Sequence, residues 1–292
     1  MSRTVLAPTR MLALLFAALL TLSAGCRVDD GAAAAASTSK AAAVEITAHD
    51  YGFGLPSTLP GGLVDMALVN QGQEPHFAAF ARPAEGKTLA DVRAALTTPP
   101  GAAPAGPPPF LEYAALGTVS GGGTSRMTVN LPAGPYVLFC AIPAPDGTPH
   151  NVLGMMVDVE VTEGPERKLP KTLATVPTFD YAFGNFPEFK AGTNTLTLEN
   201  RGKQMHEIDL IELEDGKTIE DAVAWARSFQ GPPPFRFLGG PAVNVGLSAV
   251  GTFDLEPGVR YAFVCIVPDT LGDMAPHLTK GMYSPVFEVR SQ

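Results

Sequence analysis

Gly134-Pro135-Tyr136-Val137-Leu138-Phe139-Cys140 and its echo Gly258-Val259-Arg260-Tyr261-Ala262-Phe263-Val264-Cys265 are the stretches on which the reading of this chain turns. Each is a short apolar run opened by Gly and Tyr and closed by Cys, which reads as a strand. Beyond each Cys comes a Pro-containing loop, then Pro-His, then a Gly-Met pair four residues on: Cys140, His150 and Gly154-Met155, and again Cys265, His277 and Gly281-Met282. Upstream, each half has one earlier His, His76 or His206, near the start of a strand. Four of the five histidines thus fall into two copies of one arrangement.

The duplication extends well past these residues. Asp50-Tyr51-Gly52-Phe53 returns as Asp180-Tyr181-Ala182-Phe183, and Asn70-Gln71-Gly72 before His76 returns as Asn200-Arg201-Gly202 before His206. Gly86-Lys87-Thr88 with Asp91 matches Gly216-Lys217-Thr218 with Asp221, and Gly106-Pro107-Pro108-Pro109-Phe110 matches Gly231 to Phe235. A long-period repeat of this kind implies a duplicated structural unit. The expected organisation is a first domain over 44–162, a linker over 163–173 stiffened by Pro165 and Pro170, and a second domain over 174–292.

Within each unit the pattern is mostly strand. Val44 to Ala48, Val157 to Val161 and Thr193 to Leu198 alternate apolar and polar residues, as strands with one buried face do. One exception recurs: Thr88 with Asp91, and Thr218 with Asp221, resemble capping boxes that open helix-compatible runs to Leu96 and Phe229. The expectation is an all-β chain of two tandem Greek-key β-sandwiches, each with one short inserted helix.

The chain has 292 residues, 46% of them hydrophobic and 17% charged, with 30 Gly and 28 Pro. That is too apolar for disorder and too interrupted for a helical protein. A net charge of −9 excludes a phosphate-backbone footprint, so no nucleic-acid partner is expected. At the N-terminus, Arg3 and Arg10 precede an apolar run from Met11 to Leu22, too short to span a bilayer and typical of an export signal. Leu22-Ser23-Ala24-Gly25-Cys26 resembles the lipobox of bacterial lipoproteins, which implies cleavage after residue 25 and lipidation of Cys26. Residues 26–43 then read as a flexible tether. The expected location is the bacterial cell envelope or periplasm, outside the cytoplasm and anchored to the membrane by lipid.

A thiolate and two imidazoles in a plane, with a weak axial thioether, suit copper passing between Cu(I) and Cu(II). The residues described above resemble the cupredoxins, the blue or type 1 copper proteins such as plastocyanin and azurin, over both units. That resemblance implies a copper site of His76, Cys140, His150 and Met155 and another of His206, Cys265, His277 and Met282, up to two coppers per chain. The departure is in the loops: nine residues separate Cys140 from His150 and eleven separate Cys265 from His277, far more than in plastocyanin. Other readings of the same residues are a Cys140–Cys265 disulfide and a cupredoxin-like domain whose ligand types serve only as core. Met156, Met205 and Met274 break the repeat and read as packing.

Multicopper enzymes need several further histidines, and only His49 is left, with Phe179 at its repeat position. No enzyme is therefore expected. The expected function is electron transfer with a redox or copper-handling protein partner, a basic one given the acidic chain. Copper sequestration or delivery outside the membrane, and a metal-free interaction module, are the alternatives.

Overall fold

The computed structural model describes residues 43–98 and 106–291. The export signal, Cys26 and the tether up to residue 42 lie outside the described residues. Among those that are described, no helix is long and apolar enough to cross a membrane.

The first repeat comprises β1 (Val44–His49), β2 (Gly52–Gly54), β3 (Thr58–Leu59), β4 (Gly62–Asn70), β5 (His76–Pro83), α1 (Leu89–Thr97), β6 (Phe110–Val119), β7 (Thr124–Leu131), β8 (Gly134–Phe139) and β9 (Met156–Val161). The second comprises β10 (Ala174–Phe179), β11 (Ala182–Phe183), β12 (Gly192–Asn200), β13 (His206–Glu207), β14 (Asp209–Leu213), α2 (Ile219–Ala226), β15 (Phe235–Gly239), β16 (Pro241–Val243), β17 (Ser248–Leu255), β18 (Arg260–Val264), a short 3-10 helix (His277–Lys280) and β19 (Phe287–Glu288). Alternation drives the strands as expected: β4 buries every second residue along its whole length, and so does most of β12.

Two sheets run through both repeats. One has the order β11-β10-β12-β17-β7-β4-β1-β2, and the other β19-β18-β14-β15-β6-β5-β8-β9-β3. Each order reads nearly the same from either end, so the repeats meet about a local two-fold. At the junction Met127, the fourth residue of β7, pairs with Gly251, the fourth residue of β17. Within a repeat the chain passes repeatedly from one sheet to the other, which pairs β1 with β4 and β3 with β9 in parallel, the Greek-key manner of crossing. The all-β sandwich expected from the sequence is therefore present.

The main core lies between the sheets and is continuous across the repeats, from Ile46, Leu68, Phe80 and Tyr136 to Leu196, Phe253 and Phe263. The outer face of the second sheet is covered by the helices. Val92 of α1 packs on Ala79, Ala115 and Val137, while Ala222 and Ala226 of α2 pack with Ile211, Phe235 and Phe237. Both capping boxes form: the Thr88 and Thr218 hydroxyls accept from the backbone N–H of Asp91 and Asp221, whose carboxylates accept in return from the Thr N–H. Helix α2 stops short of the expected Phe229. Phe229 has φ 51°, and Trp225 turns its indole N–H onto the Gly231 carbonyl, drawing the chain back across the helix end.

The segment after β9 is strapped down. Leu63 N–H donates to the Pro165 carbonyl, and Asn130 exchanges two hydrogen bonds with the backbone of Arg167. The strap comes so close that a Cβ on Gly62 would stand 2.3 Å from the Pro165 oxygen. Here glycine is required twice over, since φ is also +73°.

Candidate metal centres

The register of the second sheet builds the first centre. His76 is the first residue of β5, and β5 runs antiparallel to β8, with Ala79 opposite Phe139. Cys140, one residue past the end of β8, therefore lands beside the start of β5. The loop after it returns through an isolated bridge between Pro143 and Pro149, which sets His150 against Ile142 by a 2.9 Å backbone hydrogen bond. The same construction recurs: Asp209 stands opposite Val264 in β14 and β18, Pro268 bridges Pro276, and His277 N–H donates to the Val267 carbonyl.

The result is two buried triads, His76–Cys140–His150 and His206–Cys265–His277, all six side chains fully shielded from solvent. In the first, the two Nδ1 atoms are 3.1 Å apart and the Cys140 Sγ lies 4.0 Å from His76 Nδ1 and 3.6 Å from His150 Nδ1. A circle through those three atoms has a radius of about 2.1 Å, within the ~2.0–2.3 Å that separates imidazole nitrogen and thiolate sulfur from a bound transition metal. In the second, the Cys265 Sγ lies 4.0 Å from His206 Nδ1 and 3.3 Å from His277 Nδ1. Met155 and Met282 are equally buried and are tied in through the backbone. Each donates its N–H to the loop His carbonyl and accepts the Cys N–H, at 3.2 Å for Cys140 and 3.1 Å for Cys265. The disulfide reading is excluded, because both cysteines are free and buried.

Carboxylates fix the histidine tautomers. His76 Nε2 is 3.1 Å from Asp50 Oδ1, and His150 Nε2 is 2.8 Å from Glu74 Oε2. A carboxylate only accepts, so both Nε2 atoms carry protons and both Nδ1 atoms present lone pairs, facing one another at 3.1 Å. The Cys140 thiol proton can satisfy at most one of them. Burial lowers the pKa of His76, which opposes closing the gap with an imidazolium. The donor set thus has the arrangement a cation would complete, and soft sulfur with two imidazoles selects copper or zinc over hard ions. Burial pushes the Cys140 thiol up to about 12, while the N–H groups of Phe77 and Ile142 aimed at the sulfur favour the thiolate that a metal would hold.

Sequence reasoning placed the eight ligand candidates and passed over the residues behind them. The repeated Asp-Tyr pair turns out to be a clamp. Asp50 accepts from Gln73 N–H, Glu74 N–H and His76, and Asp180 accepts from Lys203 N–H and His206. Tyr51 and Tyr181 sit at φ 70° and 64°, uncommon for a large side chain. Their rings meet His150 and His277 edge-on at 5.1 and 5.3 Å. Repetition of the pair was the signal that could have marked it.

The centres differ in one respect that matters chemically. Tyr51 donates to Glu74, the carboxylate that also holds His150. The second repeat has Gln204 in that place. Gln204 faces Thr270 and Asp269, Tyr181 donates to Asp269, and the buried His277 Nε2 has no hydrogen-bond partner. Burial and the neighbouring His206 lower the His277 pKa to about 4. Two buried acids also stand near Cys265 where the first repeat has Phe77 and Ala79. Glu207 accepts the Ile266 N–H at 2.6 Å, and Asp209 reaches into the first repeat to accept the Thr118 N–H at 2.8 Å. Of the methionines read as packing, Met156 and Met205 do pack against the core under α1, but Met274 is 60% exposed at φ 63° and is corrected to a surface residue of its loop.

Taken together, the fold in both repeats is the cupredoxin-like β-sandwich that the sequence resemblance implies, with a His on one strand end and a Cys, His and Met on the strand and loop beside it. No protein-family profile and no curated protein matches the chain. Among solved structures it is similar to dithionite-reduced auracyanin from the photosynthetic bacterium Roseiflexus castenholzii, at 22% identity over 41% of this chain and 97% of that one, with a TM-score of 0.29. Auracyanin A, a blue copper protein from Chloroflexus aurantiacus, matches at 20% identity over 41% and 98%, with a TM-score of 0.28. A copper nitrite reductase from Nitrosomonas europaea matches at 13% identity over 85% and 93%, with a TM-score of 0.24.

Proposed function

We propose that this chain binds one copper at each triad and serves as an electron carrier. The observation that carries the reading is the first triad's pair of facing Nδ1 lone pairs with a sulfur beside them, on a circle of about 2.1 Å radius that suits a bound metal. When bound, copper supplies a one-electron couple between Cu(I) and Cu(II). The protein's own part is to hold geometry: strands β5 and β8, Asp50 and Glu74 fix the first imidazoles, and in the second repeat β13 and Asp180 fix that of His206. A set of ligands that does not rearrange between oxidation states keeps the reorganisation accompanying electron transfer small. Complete burial of all eight candidate ligands supports a carrier over delivery, since a delivery site must open to pass its metal on.

The reading is a carrier and no enzyme. Apart from the four triad histidines only His49 remains, on β1, too little for a further solvent-open copper site. We further propose, from residues 3–26, export to the cell envelope and lipid anchoring at Cys26, and from the net charge of −9 a basic redox partner. The test is copper stoichiometry with the visible spectrum of the full chain and of Cys140→Ser and Cys265→Ser. Two coppers with an intense thiolate-to-copper band that bleaches on reduction, one equivalent and one redox wave lost in each variant, is the expected result. Copper bound without a redox wave would replace electron transfer by copper handling, and a folded chain that binds none would leave an interaction module.

A further inference from the structure

The two triads share their ligand types and differ behind one imidazole. His150 gives its Nε2 proton to Glu74 at 2.8 Å, and that carboxylate is itself held by the Tyr51 hydroxyl at 2.9 Å. His277, the equivalent ligand candidate, keeps its Nε2 buried with no acceptor, because residue 204 is Gln and its amide is spent on Thr270 and Asp269. A hydrogen bond to an anion makes the imidazole a stronger donor, which stabilises the more highly charged metal state; a bare N–H does not.

We propose that residue 74 and its counterpart 204 set the two centres at different reduction potentials, with the first centre harder to reduce because Glu74 backs His150. The proposal rests on copper occupying both triads. Each centre takes up one electron from an external donor, Cu(II) becoming Cu(I), and the Nε2 protons stay where they are. Losing such an outer partner costs about 10- to 100-fold in metal affinity. Applied to Cu(II) alone, at about 59 mV per tenfold for one electron, that separates the two potentials by about 60 to 120 mV. The buried acids Glu207 and Asp209 lie towards Cys265 and also differ between the repeats, so the decisive comparison is made within the first centre.

The experiment is a spectroelectrochemical titration of the copper-loaded full chain, of Cys265→Ser and Cys140→Ser to isolate each centre, and of Glu74→Gln in the Cys265→Ser background. Two waves are expected in the wild type, the lower one belonging to the first centre, and Glu74→Gln should raise that wave towards the second. Proton NMR of the wild-type Cu(I) form supplies a readout independent of any variant's folding. The His150 Nε2 proton, hydrogen-bonded to a carboxylate, should lie well downfield of the His277 Nε2 proton. Two coppers with thiolate bands but a single potential, or a first wave that Glu74→Gln leaves in place, would overturn the proposal and leave the electron-carrier reading standing. No thiolate band at either centre would overturn both.

Discussion

Replacing Asp50 by Ala probes the clamp on the first centre and leaves its twin untouched. The Asp50 carboxylate accepts the N–H groups of Gln73 and Glu74 and the Nε2 proton of His76, and it is one-third exposed while His76 is fully buried. Removing it strands a buried imidazole N–H at about 1–3 kcal/mol, and it releases two loop amides that water can partly satisfy at about 0.5 kcal/mol each. The expected destabilisation of the metal-free protein is therefore about 3 kcal/mol, a melting-point drop of roughly 6–12 °C for a body of this size. With the ring free to turn, copper affinity at the first centre should fall about 10- to 100-fold. Asp50→Asn, whose single amide oxygen can accept two of the three donors, should recover part of the stability. Chemical denaturation of metal-free protein and competitive copper titration measure the two effects, with the second centre and its own Asp180 as the internal control. The reasoning is refuted if Asp50→Ala leaves both quantities unchanged, or if both centres weaken equally.

Three further outcomes follow from the same physics. Gly62→Ala and Gly86→Ala share a φ of +73°, but a Cβ at 62 meets the Pro165 carbonyl at 2.3 Å whereas one at 86 meets nothing; denaturation should show a loss of about 3 kcal/mol or more for the first and about 1 kcal/mol for the second, and equal losses would disprove the strap's role. Thr88→Ala and Thr218→Ala should each cost about 1 kcal/mol by removing one arm of a capping box, with the loss read as helix amide exchange confined to α1 or α2. Asp269 titrates well below its usual value of 3.8 because Lys280 donates to it, an effect that outweighs its burial. A lowered acid contributes stability that is present above its unfolded pKa and lost as pH falls through the folded one. Wild type should therefore weaken more steeply than Asp269→Asn as pH drops below about 4, and parallel curves would argue against the pair.

Much of the site was legible because the order His, Cys, His, Met survives twice, and a strand ending in Cys can place its sulfur beside a His only if the neighbouring strand starts there. The partners behind the ligands were not legible. Asp50 lies 26 residues before His76, and Glu74 lies 76 residues before His150, and nothing local in the sequence couples either pair. Acids at 207 and 209 read as ordinary strand polarity, although both side chains are buried and Asp209 crosses to the other repeat to find its donor.

The sequence by itself determined the duplication, the all-β class with its two capped helices and the identities of the six side chains that converge in two triads. These are carried by periodicity, capping chemistry and order along the chain, which are local. Tertiary structure alone decided that both sheets run continuously through the two repeats, that the three side chains of each triad come together in a buried space, and that Glu74 finds His150 while His277 is left without an acceptor. Those depend on strand register and on which long-range hydrogen bond wins in a buried space. A one-residue change such as Glu74 to Gln204 leaves the pattern of the chain intact and alters the electrostatics of the centre behind it.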